Sequence, residues 1–97
     1  MPTHSEEDSF WRDWASLSPL QRKAFIAATT KMVEDIKAAR GFRKGLRIKG
    51  VQGHPGIYEM TWASDGRATF SYGTSPVTGD THIIWRHIGN HDILKNP

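Results

Sequence analysis

The sequence predicts an α+β fold in two layers, with an N-terminal helix or helical hairpin packed on one face of a twisted, mainly antiparallel sheet of about four strands. Three observations support this prediction. Apolar residues recur at helical spacing over residues 19–40, and the apolar period changes to two after Gly45. Two turn signals, at Gly53–Gly56 and Asp65–Gly66, then divide the second half into short segments. A helix followed by a run of short strands is typical of an α+β architecture.

Size and composition place the chain in an ordinary globular class. Its 97 residues suit a single domain, predicted to span residues 1–97, with 24% charged and 37% hydrophobic residues. No apolar run comes near the roughly 20 residues that span a bilayer, and the acidic N-terminus is unlike a secretory signal. The absence of cysteine excludes disulfides, thiolate zinc sites and a cysteine nucleophile, and it is consistent with a reducing cytosol. We therefore expect a cytoplasmic protein without membrane contact.

The clearest element is a helix predicted from about Pro19 to Arg40. Ser18 is a suitable N-cap, proline suits the first helical position, and Gln21 completes a capping box. Gly41 fits a left-handed position just past the end. A break along this stretch would produce a helical hairpin. The predicted buried face consists of residues at helical spacing, which are Leu17, Leu20, Ala24, Phe25, Ala28, Met32, Val33 and Ile36.

The segment before this helix allows two interpretations. Residues 1–8 are expected to form a mobile tail. Phe10 and Trp14 then have helical spacing and Ser9 is a suitable cap, which favours a short helix. A short strand at Phe10–Arg12 is the alternative.

Four strands are predicted after Gly45. In the first, Leu46–Lys49, apolar and basic residues alternate as in a half-buried strand. The others are predicted at Ile57–Trp62, Arg67–Tyr72 and Thr81–Ile88, with a loop at residues 73–80. Residues 83–85 are apolar on both faces, so the last strand is expected at the centre of the sheet under the helix.

Positive charge is concentrated in the second half of the chain. Residues 1–40 carry six Lys/Arg and six Asp/Glu, whereas residues 41–97 carry seven and four, which accounts for the net charge of +3. Arg43, Lys44, Arg47 and Lys49 lie within seven positions. Such a patch favours a polyanionic partner, and a solvated basic loop is the alternative.

Arg47, Lys49 and Arg67 are predicted to meet on the open face of the sheet. Burying the apolar residues of the first and third predicted strands directs these cations away from the helix. Cations on adjacent strands suit the successive phosphates of a nucleic acid. The alternative is a set of solvent-exposed sheet residues, some of them paired with carboxylates.

Among the five histidines, His91 is the first candidate for proton transfer. It comes directly after the last predicted strand, and an imidazole titrates near neutral pH. His54, in a turn beside the basic strand, is a second candidate. His82 and His87 lie on the last strand, where a packed or surface histidine is the commoner case. No metal-binding motif or dinucleotide fingerprint is recognised, so neither a metal nor a cofactor is expected.

These motifs together resemble the RelE/ParE superfamily of bacterial toxin–antitoxin systems. The resemblance covers residues 10–97 and rests on SLSPLQRKAF at the helix start, GFRKGLRIKGVQGHPGIYEMTW, the hairpin DGRATFSYG and the C-terminal HIIWRHIGNHDIL. It implies a RelE-like fold and a RelE/HigB-like toxin, a metal-independent mRNA endoribonuclease (a hydrolase) that typically acts in the ribosomal A site and inhibits translation. It also implies two partners: a cognate antitoxin, in a toxin–antitoxin hetero-oligomer, and mRNA on the ribosome.

The resemblance also implies roles for individual residues. Arg67 matches the sheet arginine that meets the scissile phosphate, and His91 matches the region that supplies an acid/base group. Lys49 matches the basic strand that binds the RNA backbone, so the implied catalytic set is Arg67, His91 and Lys49. The implied RNA-binding set is Arg43, Lys44, Arg47, His54 and Arg86.

Two features depart from the pattern of the RNase members. Many of them carry tyrosine or phenylalanine near the C-terminus, where this chain has Leu94, and a net charge of +3 is modest for a ribosome-directed nuclease. Two alternatives therefore stay open. One is a ParE-like, non-enzymatic inhibitor of DNA gyrase, and the other is an inactive module that only binds an antitoxin.

Overall fold

The computed structural model describes residues 2–76 and 79–97 and shows two helices packed on a five-stranded mixed sheet. The strands are β1 (Thr3–Glu6), β2 (Lys49–Gly50), β3 (Tyr58–Thr61), β4 (Gly66–Gly73) and β5 (His82–Asn90). The helices are α1 (Asp8–Ala15) and α2 (Pro19–Ala38), and short 3₁₀ helices cover Lys44–Leu46 and His91–Lys95. The predicted two-layer α+β fold is confirmed, with one strand more than expected over the described residues.

The strand order is β1-β5-β4-β3-β2, in which β1 runs parallel to β5 and all other neighbours are antiparallel. β5 therefore lies inside the sheet, as predicted. The last three predicted strands are present with ends shifted by one or two residues. The predicted loop at residues 73–80 includes residues 77 and 78, which lie outside the described part of the chain.

β1 corrects the prediction that residues 1–8 form a mobile tail. Thr3–Glu6 pairs in parallel with His82–Trp85, and Thr3 Oγ1 lies 2.7 Å from Nδ1 of His82. The segment is ordered by a strand from the far end of the chain, so nothing in its own polar sequence signals it. Met1 lies outside the described residues.

α1 confirms the short helix and excludes the alternative strand at Phe10–Arg12. Its N-cap is Glu7 rather than Ser9. Ser9 instead donates a hydrogen bond from Oγ to the carbonyl oxygen of Arg86 at 2.6 Å. This bond ties the first turn of α1 to β5.

α2 begins and ends close to the predicted positions. Ser18 Oγ accepts from the Gln21 N–H at 3.1 Å, and Gln21 Oε1 accepts from the Ser18 N–H at 2.8 Å, which completes the predicted capping box. The helix continues without a break to Ala38, and Ala39 follows in the left-handed conformation with φ 53°. A single helix is therefore present rather than a helical hairpin.

The core lies between the helices and the sheet. Its largest fully buried apolar side chains are Met32 of α2, Met60 of β3, Phe70 of β4 and Ile88 of β5. Leu20, predicted to belong to the buried stripe, is 80% exposed. It lies in the first turn of α2, at the end of that stripe.

The connection from α2 to the sheet corrects the predicted strand at Leu46–Lys49. Leu46 ends a 3₁₀ helix with its side chain in the core, Arg47 follows with a left-handed φ of 48°, and only Lys49–Gly50 pairs with β3. Two alternating apolar residues are too few to specify a strand, and the chain turns here instead.

The β3–β4 turn is longer than the predicted two-residue hairpin at Asp65–Gly66. Residues 62–65 connect the two strands, and the Gly66 N–H donates to the carbonyl oxygen of Ala63 at 3.1 Å. Glycine is required here by space, because a Cβ at Gly66 would lie 2.6 Å from the ring of Trp62.

The sheet face opposite the helices is partly covered by the C-terminal residues. Thr69 Oγ1 donates to the carbonyl oxygen of Pro97 at 3.3 Å, and Arg86 Nε donates to the same oxygen at 3.0 Å. Arg86 sits at a bulge, because Thr69 pairs with His87 whereas Phe70 pairs with Trp85.

Neither α1 nor α2 is sufficiently long and apolar to cross a membrane.

Candidate functional site

The strand register determines which of the predicted site residues share a face. Lys49 lies opposite Glu59, Glu59 lies opposite Thr69, and Thr61 lies opposite Arg67. Cross-strand partners project to the same side of a sheet, and residues two apart on one strand do so as well. We call this side the second face. It is opposite the helix-covered core, and it carries Lys49 and Arg67. Arg47, which was predicted on the same face, lies outside the sheet at the end of the first 3₁₀ helix, and β3 separates the strands of Lys49 and Arg67, which were predicted to be adjacent.

Arg67 is held at the start of β4 by backbone oxygens rather than by a carboxylate. Its Nη1 donates to Gly66 O at 3.0 Å and to the carbonyl oxygens of Ala63 and Ser64 at 3.4 Å. Its Nε and Nη2 make no hydrogen bond to the described residues. A guanidinium that is positioned in this way retains donors for a bidentate contact with a phosphate.

His91 lies at the same end of the sheet as Arg67. Arg67 pairs with Gly89 and Gly66 pairs with Asn90, so His91 comes just beyond the start of β4. The exposed imidazole belongs to the first residue of the C-terminal 3₁₀ helix, whose start is capped by Asn90. The structure therefore brings the backbone of His91 close to that of Arg67 across neighbouring strands.

Lys49 lies on the edge strand β2, two strands away from Arg67, and its side chain is exposed. Glu59 lies between the two on β3 and is only 7% exposed. The sequence patterns did not single out this carboxylate. The sequence did contain one indication of its place. Glu59 lies between Tyr58 and Met60 on a predicted strand, so strand alternation directs it to the face opposite those two side chains.

Arg67 also borders a cleft between α2, the first 3₁₀ helix and the β3–β4 turn. The cleft has a volume of about 570 Å³, and no carboxylate of a described residue lines it. Its charged lining residues are Lys31, Arg43, Arg47 and Arg67, and we call it the cationic cleft. Lys49 and His91 do not line it. Lys31 was not predicted, although its spacing from Ala24 and Ala28 places it on one face of α2.

Arg43 is largely engaged within the protein. Its Nε, Nη2 and backbone N–H all donate to the carboxylate of Asp35 at 2.9 Å, and Nη2 also lies 3.2 Å from Glu34 Oε1. The hydrogen bonds from Arg43 hold the pKa of the buried Asp35 carboxyl well below its usual range, and the carboxylate raises the pKa of Arg43. Arg43 therefore has few donors left for the RNA contact that the sequence predicted.

The other predicted RNA-binding residues lie in different places. Arg86 forms an ion pair with Glu7 at 3.3 Å through Nη1, and its Nε donates to Pro97, so two of its three nitrogens are engaged within the protein. Lys44 is exposed in the first 3₁₀ helix, and His54 is exposed in the turn between β2 and β3. Neither of these two lines the cationic cleft.

The two histidines of β5, His82 and His87, are half-buried and hydrogen-bonded, whereas His4 of β1 is exposed. His87 Nδ1 lies 2.8 Å from Asp13 Oδ2, and His82 contacts the hydroxyls of Thr3 and Ser5. Over residues 2–76 and 79–97, no group of three or more potential ligands is placed to hold a metal ion.

A second cavity of about 500 Å³ lies between α1, α2 and β1. Its lining is mainly apolar and includes Trp14 and the exposed residues Trp11 and Ile26. It shares no residue with the cationic cleft.

Comparisons with known proteins find a match in structure alone. No protein-family model and no curated protein sequence matches the chain. Among solved structures, the RelB–RelE antitoxin–toxin complex from Methanococcus jannaschii contains a chain similar at a TM-score of 0.60 and 19% identity, with 94% of each chain covered. The E. coli DinJ–YafQ toxin–antitoxin complex contains a chain that is similar at a TM-score of 0.61 and 12% sequence identity, with 96% of each chain covered.

A YoeB/ParE toxin from Agrobacterium tumefaciens is also similar, at a TM-score of 0.61 and 13% identity, covering 92% of this chain and 98% of that one. The chain therefore has the RelE-like fold. The predicted resemblance to the RelE/ParE superfamily is confirmed as a likeness of fold.

Proposed function

We propose that the chain is the toxin of a type II toxin–antitoxin system and acts as a metal-independent mRNA endoribonuclease. The observation that carries the proposal is the placement of Lys49 and Arg67 on the second face, with His91 at the adjoining strand end. The fold supports it, because the similar structures include toxins in complex with antitoxins.

The chemistry that suits these residues is attack of an RNA 2′-hydroxyl on the adjacent phosphate. Arg67 binds the phosphate and stabilises the negative charge that develops on it. Lys49, further along the same face, binds the neighbouring backbone and adds positive charge. The bond to the 5′-oxygen then breaks, and that oxygen takes up a proton.

His91 supplies this proton, because its imidazole is exposed at the strand end that adjoins Arg67 and can act as a general acid. The base that removes the proton from the 2′-hydroxyl is one of three groups. Lys49 and His54 are candidates from the sequence, and the structure adds Glu59 on the second face. The product is cleaved mRNA, and its loss inhibits translation.

The proposed partners are a cognate antitoxin, which holds the toxin inactive in a hetero-oligomer, and mRNA on the ribosome. Both would be met in the cytoplasm. The net charge of +3 is modest, but it is compatible with binding mRNA because Arg67 and Lys49 place positive charge on one face.

One observation favours a second function. Leu94 stands where many RNase members carry an aromatic residue, and it is half-buried in the C-terminal 3₁₀ helix. A gyrase inhibitor or an inactive antitoxin-binding module needs no such group. Inhibition of DNA supercoiling by the purified chain, with mRNA intact in producing cells, would establish the gyrase alternative.

The test is induction of the chain in growing cells with mapping of mRNA 5′ ends. We expect new cleavage sites with the wild-type chain and at least a roughly 100-fold loss of cleavage for Arg67→Ala and for His91→Ala, because each removes a group that acts in the transition state. Arg12→Ala, on the exposed side of α1, is the matched control and should cleave normally.

Thermal melting of each variant shows whether the fold survives. Intact transcripts in cells whose growth has stopped would contradict the proposed activity. Full cleavage by both active-site variants would show that the residues are wrongly assigned.

A further inference from the structure

Apart from Arg67, the residues that line the cationic cleft have no role in the proposed cleavage chemistry. Three of the cleft's four charged residues, Lys31, Arg47 and Arg67, form no ion pair within 4 Å with the described residues. They face no carboxylate in the lining. Unpaired cations around a concave surface attract an anion, and the low dielectric of the walls strengthens the attraction.

The floor of the cleft suits a flat apolar group. It is formed by Ala24, Ala27 and Ala28 of α2 together with Trp62. Small side chains leave room for a ring, and the volume of about 570 Å³ lies within the range of small-ligand sites. Thr61 and Ser64 add hydroxyl groups at the side of the β3–β4 turn.

Trp62 provides a separate indication of a ligand. Its Nε1 is buried, and over residues 2–76 and 79–97 it is the one buried side-chain polar atom without a hydrogen-bond partner. Burying an N–H donor without an acceptor costs free energy. Trp62 also lines the cleft, so the indole lies beside the space that a ligand would occupy.

Arg47 holds an unusual backbone conformation at the rim. Its φ of 48° is in the left-handed region, which non-glycine residues rarely occupy. Such strain persists where the surrounding structure fixes a residue in place, often at binding sites. Here it accompanies a side chain that lines the cleft.

We infer that the cationic cleft is a nucleotide subsite for single-stranded RNA, in which Lys31 and Arg47 bind a phosphate and the base lies on the alanine and Trp62 floor. The inference rests on the proposed function, because Arg67 borders both the cleft and the second face. An RNA strand bound at Arg67 can therefore continue around the end of the sheet into the cleft. The cleft extends the substrate-binding surface to α2.

The test uses the Trp62 indole N–H as a reporter in nitrogen–proton correlation spectra. The chain has four tryptophans, and Trp62→Phe identifies the signal. The probe is a fully 2′-O-methylated RNA hexanucleotide, which lacks the attacking hydroxyl. We expect a saturable shift of the Trp62 signal. Lys31→Gln and Arg47→Gln should each raise the Kd for the hexanucleotide by about fivefold. Each should also reduce the slope of log affinity against log salt concentration by about 0.7, because one phosphate contact is lost.

Lys23→Gln is the matched control, because Lys23 is exposed on α2 but does not line the cleft, and it should bind like the wild-type chain. A polyglutamate peptide tests an acidic protein segment as the occupant. A Trp62 shift with polyglutamate alone, or with neither probe, would overturn the inference. So would unchanged RNA affinity in Lys31→Gln and Arg47→Gln.

The binding measurement is repeated on His91→Ala, because the subsite needs no chemistry. A cleft that does not bind the hexanucleotide, in a chain that still cleaves mRNA, would overturn this inference alone. A chain that binds the hexanucleotide in the cleft but leaves mRNA intact would overturn the proposed function alone.

Discussion

At the residue scale, the ion pair between Asp35 and Arg43 links the end of α2 to the basic segment that follows. The carboxylate of Asp35 is 1% exposed and accepts from the Arg43 side chain and backbone. A buried carboxylate is stable only with such partners, and removing one partner leaves an uncompensated buried charge. The pair therefore positions the segment that leads to Arg47 and the cationic cleft.

We expect Asp35→Asn to lower the Tm by roughly 10 °C or more at neutral pH, because it leaves the Arg43 guanidinium without its main partner. The folded-state pKa of Asp35 is depressed, so its contribution is present above the ordinary value of 3.8 and is lost as the pH falls below it. The difference in Tm between wild type and variant should be constant from pH 7 to about pH 5 and shrink below about pH 4.

Thermal melting across this pH range is the measurement. Glu34→Gln is the matched control, because Glu34 contacts the same Arg43 from an exposed position and should change the Tm by only a few degrees. If the difference in Tm between wild type and Asp35→Asn did not vary with pH, the Asp35 carboxylate would not stabilise the fold through its charge.

The sequence could indicate the charged residues of the candidate site but not their partners. Arg67, Lys49 and His91 follow from strand alternation and from the position of a strand end. The engagement of Arg43 could not be predicted, because Asp35 lies eight residues away across the end of a helix. Lys31 could not be placed at the cleft without knowing which turn packs beside α2.

At the element scale, the β3–β4 turn positions both Arg67 and the floor of the cleft. Gly66 permits Trp62 to lie against the start of β4, and its N–H closes the turn. Arg67 follows directly and binds the carbonyl oxygens of the same turn. The orientation of the arginine therefore depends on the packing of glycine against tryptophan.

Gly66→Ala should lower the free energy of unfolding by about 1 to 3 kcal/mol, because the new Cβ would overlap the ring of Trp62. Chemical denaturation measures the effect. Gly50→Ala, in β2, is the matched control, since a Cβ there meets nothing within 4 Å and should change stability by less than about 0.5 kcal/mol. Equal stability of the two variants would show that this contact does not hold the turn.

Elements with local signals could be predicted, and elements that depend on distant partners could not. The capping box at Ser18 and the repeated apolar residues were sufficient to define α2. β1 has no apolar alternation of its own and is ordered by pairing with β5. The turn at Arg47 was missed because two apolar residues in alternation fit a strand and a 3₁₀ helix equally well.

At the scale of the whole molecule, the fold separates a structural side from a cationic side. The helices and the aromatic core occupy one face of the sheet, and Lys49 and Arg67 occupy the other. The end of the sheet near Arg67 joins this second face to the cationic cleft. An RNA strand would thus meet positive charge along two connected surfaces.

The chemistry of the RNA ends produced by the purified chain on programmed ribosomes shows whether the RNA 2′-hydroxyl is the nucleophile. Attack by the 2′-hydroxyl at the second face predicts a 2′,3′-cyclic phosphate on the upstream fragment and a free 5′-hydroxyl on the downstream one. A 2′-O-methyl group at the cleavage position should abolish the reaction. Fragments with 5′-phosphate and 3′-hydroxyl ends, or cleavage that persists after 2′-O-methylation, would contradict the account.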